Sequence, residues 1–385
     1  MNIQIITSSY PASPDDPSGT AGLFVRQFAI ELAAHGHNVV VQPAARKAAY
    51  QPDPGISILP TPWKGGDQEL ASMKFYNPVN WLIFIHFFIM GIKSTLAIID
   101  KHAIDRTLCM WAVPSGIFGL AGKIKRKIPY DVWVLGSDIW KIRKIPVLGR
   151  MLLGRIMQGA DRVYADGLQL CRDVTELTGV PCEFLASSRQ LPQPQKKLSL
   201  SSAPGIRHFL FVGRYHVNKG PDLLLQAVAL LPEETRAAIR VHMFGLGPME
   251  AELKQMALEL KLEETVLLNG PIQAQEMADY LGSVSYLVIP SRIESIPLVF
   301  SDALQIGTPI VAMPVGDLEK IIKEFSCGFV AQKVSAKALA NAIMKATSKA
   351  KVSYKEDIAK AYCQFDLKNA AFRWLMLQSS SQREQ

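Results

Sequence analysis

The feature that most constrains this chain is an alternation of short apolar runs with longer segments of helical periodicity. NIQIITSS, at 2–9, is followed by FVRQFAIELAAHGH, whose apolar residues recur at helical spacing up to Gly36, and then by VVVQP. RTLCMW, YDVWVLG and RVYAD each precede a further candidate helix. Strands that alternate with helices predict parallel sheets covered on both faces, so we predict an α/β fold.

The alternation stops once and then restarts. LPQPQKKLSLSSAPG, at 191–205, is polar and rich in Pro and Ser, and HFLFVGR, IRVHMFG, TVLLNG, YLVIPS, PIVAMP and GFVA indicate a second set of strands after it. A chain of 385 residues is too long for one ordinary core. We therefore predict two doubly wound domains, 1–195 and 205–364, with a C-terminal helix at about 365–385 that packs back on the first. Ligands bind outside the carboxyl ends of such strands, here in a cleft between two facing domains.

The composition indicates a globular protein with reduced thiols. Hydrophobic residues make up 49% of the chain and charged residues 20%, a balance that excludes a disordered protein. The N-terminus, MNIQIITSSYP, has no basic region and no cleavable apolar segment of secretory type, so we expect no export and a cytoplasmic location. Five scattered cysteines without a Cys-x-x-Cys pair favour free core thiols over disulfides or a metal site. They are Cys109, Cys171, Cys182, Cys327 and Cys363.

The positive charge is concentrated in the first half of the chain. Residues 1–200 contain 22 Lys and Arg against 15 Asp and Glu, whereas residues 201–385 contain 20 against 19. The segment from Lys141 to Arg155 carries five basic residues among aliphatic ones and no acid. Such a surface suits an anionic membrane or another anionic acceptor, or it is simply a solvated basic face. No recognition motif accompanies the charge, so we expect no nucleic acid partner.

One apolar stretch resembles a membrane segment. WLIFIHFFIMGI, from Trp81 to Ile92, has about half to two-thirds of a spanning length. It is interrupted by His86 and closed by Lys93. The stretch predicts either a buried or partly buried helix, or a helix that lies on a membrane surface.

Two stretches carry glycine or cationic residues where a strand ends. PSGTAGLFVRQ places Gly19 and Gly22 just before a helix, where backbone N–H groups could approach an anion, although glycine there is often turn geometry. FLFVGRYHVNKG ends a strand at Gly213 and places Arg214 and Lys219 at its mouth. Two cations in this position could neutralise a diphosphate, Arg as a planar fork and Lys as a point charge.

Two further stretches end a strand. MFGLGPMEAEL lacks the full dinucleotide fingerprint, and we interpret it as a turn into a helix. YLVIPSRIESIPLVFSDALQ places Glu294 in a loop and Asp302 in the early turns of a helix that begins at about Leu298. For an isolated pair of acids, solvent exposure and a favourable interaction with the helix dipole are sufficient explanations.

Taken in order, VGRYHVNKG, FGLGP, LNGPI and PSRIESIPLVFSDALQIGTPIVA closely resemble the donor-binding domain of glycosyltransferase family four. SGTAGLFVRQFAIELAAHGHNV, CMWAVPSGIFGLA and PYDVWVLGSDIW resemble its N-terminal half, so the resemblance extends to about residue 345. It implies the two-domain GT-B fold and a retaining glycosyltransferase of hexosyltransferase type. Such an enzyme moves a sugar from a nucleoside diphosphate sugar to a glycan or lipid-linked acceptor, in cell-envelope or exopolysaccharide biosynthesis.

The resemblance also implies roles for individual residues. Glu294, Lys219 and Arg214 are the implied catalytic residues, with Glu294 on the donor sugar and the two cations on the diphosphate. Asp302 would bond the ribose hydroxyls. The implied donor site consists of Gly19, Gly22, Arg214, Lys219, Gly270, Ile272, Glu294, Ser295, Ile296, Leu298 and Asp302. The acceptor-side candidates are Trp111, Ser137 and Asp138.

Two positions depart from the family pattern. The second acid is Asp302 where the family usually has Glu, which shortens its reach by one methylene. Leu135 stands before the Gly-Ser-Asp stretch at 136–138, where many members carry a histidine, and it cannot donate a hydrogen bond. Two alternatives stay open. One is a sugar-nucleotide epimerase or hydrolase of the same architecture, and the other, which both departures motivate, is a non-catalytic subunit that binds nucleotide or membrane.

The sequence offers no metal-ligand pattern. Asp15 and Asp16 are adjacent rather than spaced as Asp-x-Asp, and no His or Cys cluster is present. We therefore predict metal-independent transfer without a cofactor, in which cations and backbone dipoles stabilise the leaving diphosphate.

Overall fold

A computed structural model describes residues 1–11, 20–44, 53–63, 78–142, 145, 147–200 and 205–381. The chain divides into two compact units. Unit 1 comprises Met1–Ser187 and Ala370–Gln385, and unit 2 comprises Ser188–Asn369. The first boundary between the units lies before the polar stretch at 191–205.

Unit 1 contains a seven-stranded parallel sheet in the order β3-β2-β1-β4-β5-β6-β7. Its strands are β1 (Asn2–Thr7), β2 (Asn38–Pro43), β3 (Ile56–Ile58), β4 (Arg106–Met110), β5 (Tyr130–Val134), β6 (Arg162–Ala165) and β7 (Glu183–Phe184). Its first six helices are α1 (Thr20–Ala34), α2 (Pro78–His102), α3 (Ser115–Arg126), α4 (Ser137–Ile142), α5 (Leu148–Gly159) and α6 (Leu168–Thr178). Every residue of β4 and β5 is buried, as expected for central strands of a parallel sheet.

Helix α2 is longer than the apolar stretch in the sequence, and it is partly buried. It has 25 residues rather than the 12 of the apolar stretch. Phe87, Ile98 and Ile99 are buried, whereas Trp81 and Leu82 near its N-terminus are exposed to 51% and 70%. The part from 80 to 102 is long and apolar enough to cross a membrane by length and composition alone. The buried residues nevertheless show that the helix packs within unit 1 from Phe87 onward.

Unit 2 contains a six-stranded parallel sheet in the order β10-β9-β8-β11-β12-β13. Its strands are β8 (Arg207–Val212), β9 (Ile239–Phe244), β10 (Val266–Asn269), β11 (Tyr286–Ile289), β12 (Ile310–Ala312) and β13 (Gly328–Val330). Its helices are α7 (Pro221–Ala229), α8 (Glu233–Ala237), α9 (Glu250–Glu259), α10 (Ala274–Ser283), α11 (Leu298–Ile306), α12 (Leu318–Glu324), α13 (Ala336–Thr347) and α14 (Lys355–Phe365). The six strands predicted for the second half of the chain are all present.

The topology of each sheet identifies the position where a ligand is expected. In unit 2 the chain proceeds from β8 outward through β9 and β10, and then returns to β11 on the other side of β8. The crevice between β8 and β11, outside their carboxyl ends, is thus the topological switch point, where open α/β sheets bind ligands. The corresponding point in unit 1 lies between β1 and β4.

The last helix, α15 (Leu367–Ser381), belongs to unit 1 from Ala370 onward. Within unit 1, Trp374 Nε1 and Gln378 Nε2 donate to Asp131 Oδ2, at 3.1 and 2.9 Å. Arg106 donates to the other oxygen of the same buried carboxylate at 2.9 Å. These hydrogen bonds join α15 to β5 of unit 1.

Two histidines make unit 2 sensitive to acid. His208 Nδ1 and His242 Nε2 lie 3.0 Å apart in the buried interior beside β8 and β9. Burial and, to a smaller extent, the neighbouring His208 lower the pKa of His242 to about 4. Below pH 6.5 His242 binds a proton in the unfolded chain but not in the folded unit. The free energy of unfolding therefore decreases as the pH falls from about 6.5 to 4. The difference corresponds to about 3 kcal/mol for His242.

We expect His242→Gln to reduce this acid sensitivity. Hydrogen exchange of β8 and β9, corrected for its intrinsic pH dependence, should accelerate between pH 7 and pH 5 in the native protein and change less in the variant. The exposed His35 of unit 1 provides the control, as His35→Gln should leave the profile unchanged. An equal acceleration in native protein and His242→Gln would contradict this explanation.

Candidate functional site: two loops at the switch point of the second sheet

The first loop follows β8 and carries the two predicted cations. Its path is fixed by Tyr215, whose N–H donates to Leu246 and whose hydroxyl donates to the carbonyls of Met243 and Asn269. Arg214 is exposed, and Lys219 ends a short 3-10 turn over Val217–Lys219. The loop therefore presents one exposed and one half-buried cation at the carboxyl end of β8.

Gly220, directly after Lys219, must be glycine for two reasons. Its φ of 65° is left-handed, and a Cβ atom would lie 2.1 Å from the carbonyl oxygen of Pro290. Pro290 directly follows β11, so this close approach brings the first loop against the beginning of the second.

The second loop follows β11 and carries Glu294. Lys219 Nζ donates to Glu294 Oε1 at 2.5 Å, and Ser291 Oγ donates to the same oxygen at 2.9 Å. The Glu294 side chain is 11% exposed and that of Lys219 is 36% exposed. Two residues separated by 75 positions in sequence thus form an ion pair at the switch point, where the sequence predicted a common site.

Sequence analysis missed a second ion pair that joins the same loops. Arg292 donates to both carboxylate oxygens of Asp222, the second residue of α7, at 2.8 and 2.5 Å. The same guanidinium donates to the carbonyl of Val217 at 2.7 Å, and the Arg292 N–H donates to the carbonyl of Asn218 at 2.8 Å. Arg292 lowers the pKa of Asp222 against the opposing effect of burial. The geometry indicates that Arg292 holds Lys219 and Glu294 in register.

We expect Arg292→Ala to slow turnover by about tenfold or more, because displacement of a catalytic group by about 1 Å costs on the order of a hundredfold in rate. Asp222→Asn should have a similar effect, and the double variant should be little worse than either single one, since both remove one interaction. Initial rates at saturating donor measure this effect. Additive losses, or wild-type rates in Arg292→Ala, would contradict the positioning role.

Asp302 does not present the open carboxylate that the sequence predicts for ribose. It lies in the middle of α11 with no exposed surface. Arg189 donates to its two oxygens at 3.0 Å from Nε to Oδ1 and 2.8 Å from Nη2 to Oδ2. The structure thus shows this carboxylate in a buried ion pair, and its role in ribose binding stays a prediction.

The remaining predicted donor residues surround the two loops. Ser295 and Ile296 are buried, Leu298 and Ile272 are half-buried, and Gly270 is exposed with open space around its Cα. A Cβ on Gly316, which follows β12, would lie 2.5 Å from the carbonyl oxygen of Glu294, so this glycine lets the two segments meet. The roles assigned to these residues remain predictions.

In unit 1 the structure describes some of the predicted residues and not others. Gly19 and the side chain of Ser137 lie outside the described residues. Gly22 is buried, and a Cβ there would lie 2.7 Å from the Cα of Tyr10, so this glycine allows α1 to approach the segment after β1. Trp111 follows β4 at the switch point of its sheet, is half-buried and has a φ of 66°. It therefore remains an acceptor-side candidate.

Asp138 is buried, and backbone N–H groups donate to its carboxylate. Its carboxylate accepts from the N–H of Ala112 at 2.6 Å and from that of Leu135 at 3.4 Å, and the residue is buried. Burial raises the pKa of Asp138, and these backbone donors oppose the rise. The carboxylate thus links the segments after β4 and β5, and its acceptor-side role stays a prediction.

Among the described residues, no three His, Cys, Asp or Glu side chains gather in a way that could hold a metal ion. The five cysteines are all free thiols. Metal independence itself stays a prediction.

Comparison with known proteins relates the second unit to a family of glycosyltransferases. Residues 195–361 match a family model described as Glycosyl transferases group 1. A D-inositol 3-phosphate glycosyltransferase of Xylanimonas cellulosilytica is 35% identical over 113 residues, which are 29% of this chain and 27% of the relative. One from Catenulispora acidiphila is 29% identical over 185 residues, 44% of each chain. The matches therefore span less than half the length of these relatives.

Solved structures resemble the whole chain. Sucrose-phosphate synthase from Thermosynechococcus elongatus superimposes with a TM-score of 0.82, 17% identity and full coverage of both chains. WaaG, a glycosyltransferase of lipopolysaccharide biosynthesis, gives 0.68 at 15% identity over 96% of this chain and 98% of that one. Anabaena HepE in complex with UDP and glucose gives 0.71 at 15% identity over 99% and 100%. The predicted GT-B fold is confirmed.

Proposed function

Since the second unit, through residues 195–361, belongs to the group 1 glycosyl transferases, we propose that the chain transfers a sugar from a nucleoside diphosphate sugar to a hydroxyl group. The observation that carries the proposal is the Lys219–Glu294 ion pair at the switch point between β8 and β11. Structures of HepE with UDP and glucose and with UDP-glucose support a nucleotide sugar as the donor.

The reaction breaks the bond between the anomeric carbon and a diphosphate oxygen, and the nucleoside diphosphate leaves with the electron pair. The acceptor hydroxyl oxygen forms the new bond to the anomeric carbon and passes its proton to the departing diphosphate oxygen. Lys219 and Arg214 are positioned to stabilise the charge that develops on the diphosphate. Glu294 now neutralises Lys219, so an incoming diphosphate competes with this carboxylate for the ammonium group. Glu294 is then free to accept hydrogen bonds from the sugar hydroxyls.

We further propose that transfer retains the anomeric configuration and needs neither metal nor cofactor. The cations of the first loop supply the positive charge that a metal ion supplies in other transferases. We propose a glycan or lipid-linked acceptor, with a role in cell-envelope or exopolysaccharide biosynthesis. Homology with D-inositol 3-phosphate glycosyltransferases leaves a soluble acceptor open.

A donor panel and a transfer assay test the proposal. The donor should raise the melting temperature, because a ligand at a hundred times its Kd adds about 2.7 kcal/mol of stability. UDP-glucose, UDP-galactose, UDP-N-acetylglucosamine and GDP-mannose form the panel. Labelled sugar should then move to an envelope fraction in the presence of excess chelator. Loss of transfer with chelator and recovery with magnesium would contradict the metal-independent mechanism.

Product analysis separates the alternatives. An epimerase leaves a changed sugar on the nucleotide, and a hydrolase releases free sugar. A non-catalytic subunit binds the nucleotide without turnover. Each of these results would contradict transfer.

We propose that unit 1 associates with the cytoplasmic face of an anionic membrane. Two groups of exposed apolar residues support this proposal. Trp81, Leu82 and Ile85 lie at the start of α2, and Val147, Leu148 and Met151 lie at the start of α5. Arg150 and Arg155 of α5 are also exposed. Apolar side chains beside cations suit the interfacial region of an anionic bilayer.

We expect this association to weaken with salt and with loss of charge. Each basic residue near an anionic surface contributes about 1 kcal/mol, so neutralising three of them should lower partitioning by about a hundredfold. Flotation with anionic liposomes measures the effect for glutamine variants of Lys141, Arg143 and Lys144. The matched control replaces three exposed lysines of unit 2, namely Lys254, Lys323 and Lys360. No binding to anionic vesicles at low salt would contradict the proposal.

A further inference from the structure

The segment Ser188–Leu198, hereafter the crossing segment, is fastened to unit 2 although it has no regular secondary structure. It begins where the chain passes from unit 1 into unit 2. Leu191 N–H donates to Gln305 Oε1, and Gln305 Nε2 donates back to the Leu191 carbonyl, both at 2.9 Å. Further along, the N–H groups of Gln195 and Leu198 donate to Asp279 and Ser283 of α10, at 2.7 and 2.8 Å.

The strongest of these attachments is the ion pair between Arg189 and Asp302. The Asp302 side chain has no exposed surface and the Arg189 side chain is 9% exposed. Arg189 Nη2 also lies 3.4 Å from Met277 Sδ on α10. Removal of one partner from a buried pair leaves a charge without solvation, so each residue holds the other in place.

Helix α11 is thus attached to the crossing segment at two successive turns. Asp302 pairs with Arg189, and Gln305, one turn later, bonds Leu191 in both directions. The same helix also packs against α14, where the rings of Phe300 and Phe365 lie 5.4 Å apart. The chain leaves unit 2 shortly after α14, at Asn369. Both places where the chain passes between the units are therefore anchored on α11.

The second loop leads directly into this helix. Glu294 is followed by the buried Ser295, Ile296 and Pro297, and α11 begins at Leu298. Three buried residues leave little freedom between the carboxylate that contacts Lys219 and the first turn of α11. A shift of the helix is therefore transmitted to Glu294.

We infer that Arg189 is a positioning residue for the reaction, which acts on Glu294 through Asp302 and α11. The inference rests on the proposed function. It gives Asp302 a different part from ribose binding, since its carboxylate fixes the helix that carries the catalytic loop. Arg189 itself contacts neither the donor nor the reacting atoms.

Kinetics of Arg189→Met, Asp302→Asn and the double variant test this inference, with the donor that the panel above selects and with UDP as the probe of nucleotide binding. We expect kcat per folded molecule to fall by about tenfold or more in each single variant, because Glu294 is displaced. The Kd for UDP should change by less than about threefold, because the cations of the first loop are untouched. The double variant should be no slower than Asp302→Asn, and Arg189→Lys should restore part of kcat.

Lys351→Met is the matched control, since its Nζ is also largely buried in unit 2 and donates to the carbonyls of Leu281 and Val284 at 2.7 and 3.2 Å. The control should lower the melting temperature and leave kcat unchanged. If the Arg189 and Asp302 variants behave like this control, their role is only structural and the inference is overturned. If Asp302→Asn weakens UDP binding by tenfold while Arg189→Met does not, Asp302 is a ribose ligand and the inference is also overturned.

Hydrogen exchange gives a result that does not depend on turnover. The amides of 291–297 should exchange faster in Arg189→Met than in the wild type, and at the wild-type rate in Lys351→Met. If no donor is turned over by the wild type, the proposed function fails while this measurement still decides whether Arg189 positions the loop. Unchanged exchange of 291–297 in Arg189→Met would overturn the inference.

Discussion

Glu294→Gln is expected to lower turnover by about a hundredfold or more while it leaves the affinity for a bare nucleoside diphosphate nearly intact. The substitution preserves the shape of the side chain and removes its charge. Glu294 lies in the second loop, 2.5 Å from the Lys219 ammonium and 11% exposed, where it can face a donor sugar. A group that acts on the sugar affects the donor complex and the transition state, and it affects the bare nucleotide little.

Calorimetry with the nucleotide and initial rates with the full donor measure the two quantities separately. Loss of the carboxylate also frees Lys219 from its partner, so nucleotide affinity in Glu294→Gln should be equal to or slightly higher than in the wild type. Equal losses in binding and turnover would contradict the assignment of Glu294 to the sugar. A lower melting temperature with unchanged rates per folded molecule would reduce its role to folding.

Lys219→Ala is expected to weaken binding of the bare nucleoside diphosphate and also to slow transfer. Its ammonium meets the diphosphate, which is common to donor and product, and a charge-assisted contact is worth about 1.5–3 kcal/mol. Nucleotide affinity should therefore fall by about ten- to a hundredfold. Transfer should fall further, since the charge on the leaving group grows in the transition state.

The matched control is Lys323→Ala, which removes an exposed lysine of unit 2 that pairs with Glu319 on the surface of α12. This surface ion pair contributes little to stability, so the control should retain both binding and turnover. Full activity in Lys219→Ala would contradict the site. A loss of the same size in Lys323→Ala would show a nonspecific effect of charge.

The sequence predicted the strands of unit 2 well because each is a buried run of a parallel sheet bounded by turn residues. In unit 1 it missed β3 and β7, which have three and two residues and are too short to show a pattern. The two loops of the site were found because each directly follows a predicted strand. Parallel strands bring such loops to one edge whatever their separation in sequence.

The contacts between distant side chains could not be predicted in the same way. Arg189 and Asp302 are 113 residues apart, and the interval contains no periodicity that pairs them. Arg292 is adjacent to a predicted loop, yet its bond to Asp222 depends on the path of α7. The polar composition of 191–205 predicted a linker there, whereas unit 1 is left at Ser187. The structure instead fastens residues 188–198 to α10 and α11.

The two positions that depart from the family pattern lie in different structural surroundings. Leu135 is half-buried, and its N–H donates to Asp138, so no side-chain donor stands at that position. Asp302 is part of a buried ion pair with Arg189. We therefore predict that the change at Asp302 is compensated by Arg189 and does not abolish activity.

Transfer of labelled sugar from the selected donor, compared between the wild type and Glu294→Gln, tests the central claim most directly. Products are separated by mass after incubation with an envelope fraction. We predict that label leaves the nucleotide and appears in a larger acceptor product with the wild type, and that Glu294→Gln forms this product about a hundredfold more slowly. Label that stays on the nucleotide, or free sugar released equally by both proteins, would contradict a glycosyltransferase whose site is built on Lys219 and Glu294.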